Sequence, residues 1–307
     1  MWRVPFAPRP SGFAAVRRFF SQHAGEFDIV HCHQIFAPEM VGRPAKRFGA
    51  KRVVAHSHAT RFSDKRLSGM RNRFISHFVG LFATDYMACS DAARVLLGRH
   101  GKDAYILHNA IDCARFAFDE EARSQVRSEL GVSEKTLLLG TLGRLENQKN
   151  QLFLPEVVRV LEDRNIDCLL VIAGTGSLRD RIVAKARDLG VSERVKLIGD
   201  RPDAPRLYSA FDIFLLPSLF EGLPVSGVEA QVSGLPCVFS DAITCEVAFG
   251  TCDFVPRDDA GAWADAIMRM PRSESRHDGP KLARAAGFDI TVEAGRLAQR
   301  YQAMLGW

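Results

Sequence analysis

The sequence predicts an α/β protein built from two doubly wound parallel sheets. Three observations carry this. Apolar runs of strand length alternate with helix-length stretches through both halves of the chain. Its 307 residues suffice for roughly two domains. The stretch DIFLLPSLFEGLPVSGVEAQVSGLP, residues 212–236, reads as a buried strand, a Gly-containing loop and a helix in direct succession.

Composition sets the bounds. Hydrophobic residues make up 47% and charged residues 25%, ordinary values for a soluble globular protein. No run of about 18 apolar residues suggests a membrane span. The N-terminus, MWRVPFAPRPSGF, lacks the apolar segment of a signal peptide. Seven scattered cysteines show no C-x-x-C spacing, and no His cluster is evident to supply further ligands. Reduced thiols in a cytoplasmic protein, no disulfide and no metal site are therefore expected. The net charge of +5 is uneven: residues 1–73 carry fourteen Lys/Arg against four Asp/Glu, and the remainder 27 against 32. A basic N-terminal part suits anionic lipid headgroups or a pyrophosphate-bearing acceptor, and equally a solvated face. No nucleic-acid partner is expected.

In chain order, residues 1–13 are Pro- and Arg-rich and read as irregular, and 14–23 as a short helix. Residues 28–33 form a buried strand, 38–48 a helix, 51–56 a strand, 64–82 one long helix and 85–89 a strand. Ser90 caps a helix over 91–99, and 104–108 is a further strand. The pattern stops at 109–112, which puts the domain junction near Asp112. The second domain opens with a helix at 120–130 and a strand at 136–142. After the loop 143–150 come a helix over 151–163, a strand at 168–173, a turn at 174–176 and a helix through Leu189. Residues 195–198 are a strand, 203–210 a helix and 212–217 the next strand. Pro224 sits at a first helical position, where its missing N–H costs nothing. The helix covers 225–233, and Gly234 ends it. A strand at 237–240, a short strand near Phe254, a helix near 260–270 and a final helix at 291–305 complete the chain.

Several motifs carry chemistry. The helix starting at Val225 offers free N–H groups and a partial positive charge, which suit a phosphate. Glu221 before it and Glu229 within it can hold sugar hydroxyls on either side. Arg144 and Lys149 follow a strand at the carboxyl edge, where open parallel sheets bind ligands, and two cations there neutralise a diphosphate. The run Gly174-Thr175-Gly176 begins like a dinucleotide fingerprint but has Arg179 where the third glycine belongs. Its glycines fit a close approach to a nucleotide or a tight turn. His56 and His58 end a strand of the first domain, and His31 and His33 end another. A histidine there orients a sugar, acts as a base near neutral pH, or is simply structural.

The segments DIVHCH, VVAHSHAT, ACSDAAR, LHNAIDCARF, GRLENQKN, IAGTGSLRD, LIGDRPDAPRLYSAFDIFLLPSLFEGLPVSGVEAQVSGLP and DAITCEV resemble family 4 of the retaining glycosyltransferases. Glu221 and Glu229 match its E-x(7)-E signature. The likeness runs from about Phe27 to the C-terminus and is to the bacterial branch making exopolysaccharide and capsular polysaccharide. It implies the GT-B fold, two Rossmann-like domains facing a cleft. Residues 1–112 would be the acceptor side, 113–290 the nucleotide-sugar side, and 291–307 a helix crossing back. It implies a catalytic set of Glu221, His58, Arg144 and Lys149, with His58 ahead of His56 in facing the donor sugar. Arg144 and Lys149 would hold the diphosphate, Glu229 the ribose and Glu221 the transferred sugar. Gly222, Leu223, Pro224, Val225 and Ser226 would line the sugar and phosphate pocket. Gly174, Thr175, Gly176 and Arg201 would border ribose and base. The donor would be a UDP-sugar and the acceptor a polysaccharide or a lipid-linked oligosaccharide. No cofactor or metal is implied, and the location would be cytoplasmic, peripheral on the inner membrane face. Family members carry a strand, a Gly-Gly loop and a further helix and strand before the segment matching Phe27. Only 26 residues stand there in this chain, so the first βαβ portion of the acceptor domain is expected to be absent. A non-catalytic nucleotide-sugar-binding or scaffolding protein is the alternative.

Overall fold

The computed structural model describes residues 10–35, 37–61, 66–271 and 276–307. The chain divides into two compact units. One comprises the residues up to Asn109 together with Glu293–Trp307, and the other Ala110–Val292.

The first unit is a four-stranded, all-parallel sheet. Its elements are α1 (Pro10–Gln22), β1 (Ile29–Cys32), α2 (Ala37–Arg47), β2 (Arg52–Ser57), α3 (Arg66–Ser76), α4 (Val79–Phe82), β3 (Asp85–Ala88) and β4 (Tyr105–Ile106). The strands lie in the order β1-β2-β3-β4. An apolar cluster of Val16, Phe20, Met40 and Ala45 packs α1 and α2 against Cys32 and Val53. A second cluster sets Met304, Leu297 and Tyr301 against Val54, Met87 and Leu107.

Two local expectations fail here. The helix expected over 64–82 starts outside the described residues and is interrupted. The Ser76 hydroxyl and His77 Nδ1 both donate to the Arg73 carbonyl, and the His77 N–H turns to Phe74 instead. Side chains thus take an acceptor the helix needs. The segment after β3 is a 3-10 helix, Ala92–Asp103, kinked at Gly98, rather than an α-helix over 91–99. Ser90 does cap it: its Oγ accepts from the Ala93 N–H at 3.1 Å.

The second unit is a six-stranded parallel sheet. Its elements are α5 (Glu120–Leu130), β5 (Leu137–Leu142), α6 (Leu154–Asp163), β6 (Cys168–Ala173), α7 (Arg179–Asp188) and β7 (Val195–Gly199). Then come α8 (Ala204–Ala210), β8 (Ile213–Leu216), α9 (Val225–Val232), β9 (Cys237–Ser240), β10 (Cys252–Val255), α10 (Ala260–Arg269) and α11 (Gly279–Ala285). The last helix, α12 (Ile290–Leu305), carries the chain from the second unit back into the first. The strand order is β10-β9-β8-β5-β6-β7. The order reverses between β5 and β8, so the carboxyl ends of these two strands border the crevice where such sheets take ligands.

The core holds the sheet together from its apolar faces and from the opposite ends of these strands. One apolar cluster joins α6, α7 and α10 to β5, β6, β8 and β9. Asp212, just before β8, accepts from Arg123, from the fully buried Arg127 and from the Leu138 N–H, which fixes α5 to the start of both central strands. Arg276 is buried and donates to the carbonyls of Tyr208, Ser209, Phe211 and Ser233, satisfying the C-terminal ends of α8 and α9. Neither α11 nor this role of Arg276 is expected from the sequence. Pro224 is not the first helical residue. Its ψ of 109° is extended, so it caps α9 from outside, and Gly234 ends the helix region with φ 68°.

Candidate active site

The second unit gathers the sequence-predicted residues along one sheet edge. Loop 143–150 leaves β5 carrying Arg144 and Lys149, and loop 217–224 leaves β8 carrying Glu221. These loops are stitched together. Gln148 donates to the Phe220 carbonyl at 3.1 Å, and the Leu219 N–H donates to the Gln148 carbonyl at 2.8 Å. Lys149 Nζ lies 2.8 Å from Glu221 Oε1, with both side chains mostly buried. Arg144 is exposed, and its guanidinium pairs with no carboxylate among the described residues. The Arg144 carbonyl is held by Gln151 Nε2 at 3.1 Å, so its backbone is fixed while its side chain faces solvent.

Helix α9 begins beside these groups in sequence. The Gly227 and Val228 N–H groups share the Pro224 carbonyl, whereas those of Val225 and Ser226 take no backbone carbonyl among the described residues. The Ser226 Oγ is buried without a partner, as are Ser218 Oγ after β8 and Thr141 Oγ1 near the end of β5. Buried polar atoms are normally satisfied, so orphans concentrated at one sheet edge mark a place built for a polar ligand. Gly222, Leu223 and Pro224 are themselves buried.

Glu229 lies on α9 and receives the Tyr208 hydroxyl at 2.7 Å. Burial raises the Glu229 carboxyl above its ordinary range, against the hydrogen bond from Tyr208, which favours the ionised form. Tyr208 is fully buried on α8, and burial beside that carboxylate holds its phenol well above the usual value. Tyr208, the partner that holds the Glu229 carboxylate, is a candidate that sequence reasoning missed.

A cavity of about 450 Å³ lies at the ends of β5, β6 and β7, lined by Arg144, Gly174, Thr175 and Arg201 among others. Arg201 is a wall of this cavity rather than a free cation. It donates twice to Asp203, at 2.7 Å each, and twice to Glu129, at 2.7 and 3.4 Å; these bonds raise its pKa. The two glycines of the 174–176 turn serve a close approach within the protein. A Cβ at Gly174 would lie 2.0 Å from the Gly143 carbonyl oxygen, and one at Gly176 2.5 Å from that of Leu145. Their φ angles, +139° and +156°, are ones that other residues rarely adopt. The turn thus presses on the loop bearing Arg144, and the Leu145 N–H donates to the Thr175 carbonyl at 2.9 Å. A larger cavity, about 710 Å³, lies against α8 and contains none of the predicted residues.

The first unit holds a separate group. His31 lies in β1 with His33 just after it, and His56 lies in β2 with His58 just after it. The parallel register puts His31 opposite Val54, which brings the two His-x-His ends side by side. His58 Nδ1 donates to Asn109 Oδ1 at 3.0 Å, and His58 Nε2 is then hydrogen-bonded to His33 Nδ1 at 3.0 Å. His31 Nε2 and His56 Nδ1 are 3.0 Å apart, and His31 Nδ1 meets the Tyr301 hydroxyl at 2.5 Å. Burial, then the neighbouring imidazoles, lowers His56 to about 2 and His31 to about 4. Burial and His33 also lower His58, against its bond to Asn109. Imidazoles held this far below their ordinary value are poor proton acceptors near neutral pH, which weakens the reading of His31 or His56 as a base. The sequence groups His31, His33, His56 and His58 at two strand ends, but with no carboxylate spacing beside them it gives no reason to read a metal site there. The two His-x-His strand ends were the available signal, but only strand pairing makes them neighbours.

The comparisons bear on what this arrangement belongs to. Residues 2–115 match the family profile described as Glycosyltransferase Family 4, and residues 136–272 that described as Glycosyl transferases group 1. EpsF of Bacillus subtilis (strain 168), a glycosyltransferase by name, is 34% identical over 291 residues, covering 90% of this chain and 75% of that protein. The UDP-Gal:alpha-D-GlcNAc-diphosphoundecaprenol alpha-1,3-galactosyltransferase of Escherichia coli is 28% identical, with the same two coverages. Among solved structures, Anabaena HepE in complex with UDP superposes with a TM-score of 0.80 at 20% identity, covering 94% of this chain and 82% of that one. The sucrose-phosphate synthase of Thermosynechococcus elongatus gives 0.80 at 18% identity, covering 99% and 82%. Two parallel-sheet α/β units and these superpositions define the GT-B fold.

Proposed function

Since this chain belongs to glycosyltransferase family 4, we propose that it transfers a hexose from a UDP-sugar to a polysaccharide or lipid-linked oligosaccharide, with retention and without a metal. The observation that carries the reading is the edge formed by Arg144, Lys149 and Glu221 with the start of α9 at the point where the strand order reverses. The Escherichia coli relative's name supplies the donor and acceptor classes, a UDP-sugar and a diphosphoundecaprenol-linked sugar.

The chemistry follows from charge. Breaking the bond between the sugar C1 and the diphosphate oxygen leaves negative charge on the diphosphate. Arg144, Lys149 and the unpaired N–H groups of Val225 and Ser226 stabilise that charge as it develops. An acceptor hydroxyl oxygen bonds to C1 from the face the phosphate leaves. Its proton passes to the departing phosphate oxygen, giving UDP and the new glycoside. No protein nucleophile is required. Glu221 contacts the transferred sugar, and Glu229, oriented by Tyr208, takes the ribose hydroxyls. Thr175, Gly174, Gly176 and Arg201 wall the base end, and Gly222, Leu223, Pro224, Val225 and Ser226 the sugar end.

Membrane association at the acceptor is supported by the basic residues of the N-terminal part and by exposed Met70, Phe74, Phe78 and Leu81 in sequence around α3 and α4. No helix among the described residues is long and apolar enough to cross a membrane.

The test is UDP release from a panel of UDP-sugars with undecaprenyl-diphosphate-linked acceptors, and the product's anomeric configuration by NMR. Lys149→Ala is expected to slow transfer about 10²–10³-fold, the usual loss on removing one such donor. An undiminished rate would overturn the assignment. An inverted product, or a rate abolished by chelator, would overturn the mechanism.

A further inference from the structure

We propose that His31, His33 and His56 form a binding site for a d-block divalent ion of the Zn²⁺ class, built into the first unit. One nitrogen from each of the three lies within 4.8 Å of the other two. Imidazole without carboxylate suits zinc, cobalt, nickel or copper and not magnesium or calcium, which want oxygen.

The geometry is close to what an ion needs. Nitrogens about 2.0–2.1 Å from a tetrahedral zinc stand about 3.3–3.4 Å apart. The His31 Nε2–His56 Nδ1 pair is at 3.0 Å. An ion there replaces the proton the two rings share, and His56 then carries its proton on Nε2. His56 is only 2% exposed, so the ion is shielded from solvent on that side. His33 completes the set. Because His58 donates to Asn109 and accepts from His33 Nδ1, the second nitrogen of His33 is left as a lone pair.

The surroundings have the form of a ligand-orienting shell. Metal-bound histidines commonly present their other nitrogen to an oxygen, which fixes ring orientation. His31 does so to the Tyr301 hydroxyl on α12. Three imidazoles leave a fourth position for water or an exogenous ligand. The site shares no residue with the edge formed by Arg144, Lys149, Glu221 and α9.

The test is calorimetric titration of the full chain with Zn²⁺, and of the same chain with Co²⁺ monitored by the visible bands of four-coordinate cobalt. One equivalent is expected to bind. His33→Gln, at an exposed position whose replacement leaves the fold intact, is expected to weaken binding at least tenfold and to change the cobalt spectrum. Tyr301→Phe is expected to weaken it about 10–100-fold, as for loss of an outer partner. His23→Gln, just past α1 and away from the cluster, should leave metal binding unchanged. No stoichiometric binding, or binding unchanged in both His33→Gln and Tyr301→Phe, overturns the proposal.

Discussion

Replacing Gly174 by alanine tests how the donor edge is held together. The new Cβ would stand 2.0 Å from the Gly143 carbonyl oxygen and 2.9 Å from its carbon. Ordinary contact begins at 3.4 Å, so the two loops must separate by about 1.4 Å. Backbone is the obstacle, and no side-chain rotation relieves it. A residue other than glycine at φ +139° costs about 1–3 kcal/mol, and the overpacking about as much again. The expected loss is about 2–6 kcal/mol. Near the middle of that range, Tm falls by about 8–16 °C for a unit of this size. Arg144 follows Gly143 directly, so UDP affinity should fall about 10–100-fold, as for one charged hydrogen bond. The control is Gly190→Ala, at φ +74° with no atom within 4 Å of the Cβ, which costs only the strain of about 1–2 kcal/mol. Urea unfolding and calorimetry of both variants decide the matter. If Gly174→Ala is as stable as Gly190→Ala and binds UDP normally, the two loops do not depend on this contact.

Two further outcomes follow from buried groups. Tyr208→Phe removes the 2.7 Å bond to Glu229 from a fully buried ring, so UDP should bind about 10–100-fold more weakly while inorganic pyrophosphate binds unchanged; equal losses for both ligands would separate Glu229 from the ribose. His56 titrates at 6.5 when unfolded and near 2 when folded, so its burial is fully favourable above pH 6.5 and is lost progressively as pH falls below it. That is about 1.4 kcal/mol per pH unit, or about 2 kcal/mol by pH 5. Urea midpoints of the native chain and of His56→Gln across this window should diverge, and parallel curves would contradict the burial of a neutral ring.

Much of the donor edge was legible because its signals are local. The apolar runs that became β5, β6, β8 and β9 are buried throughout or nearly so, and such strands read as continuous hydrophobic stretches. Asp119 and Gly131 bracket α5 as cap and stop. Arg144, Lys149 and Glu221 could be placed because each follows a strand directly. What escaped depends on partners distant in sequence. Tyr208 acquires its role from Glu229, 21 residues on. Arg276 reaches carbonyls 43 to 68 residues away. The histidine cluster exists only through the β1–β2 register. The glycines at 174 and 176 were read as approaching a nucleotide or forming a tight turn, whereas what their Cβ positions would meet is the Arg144 loop, visible only once β5 and β6 are paired. Pro224 and the break after Ser76 were misjudged by a residue or a turn, where competing hydrogen bonds decide.

The most direct test of the donor edge is calorimetric titration of the chain with UDP, in the presence of a chelator. One molecule of UDP is expected to bind, with affinity reduced at least tenfold in Arg144→Ala and in Lys149→Ala. No binding by a demonstrably folded chain, or undiminished binding in both variants, would contradict the assignment of this edge as the nucleotide-sugar site.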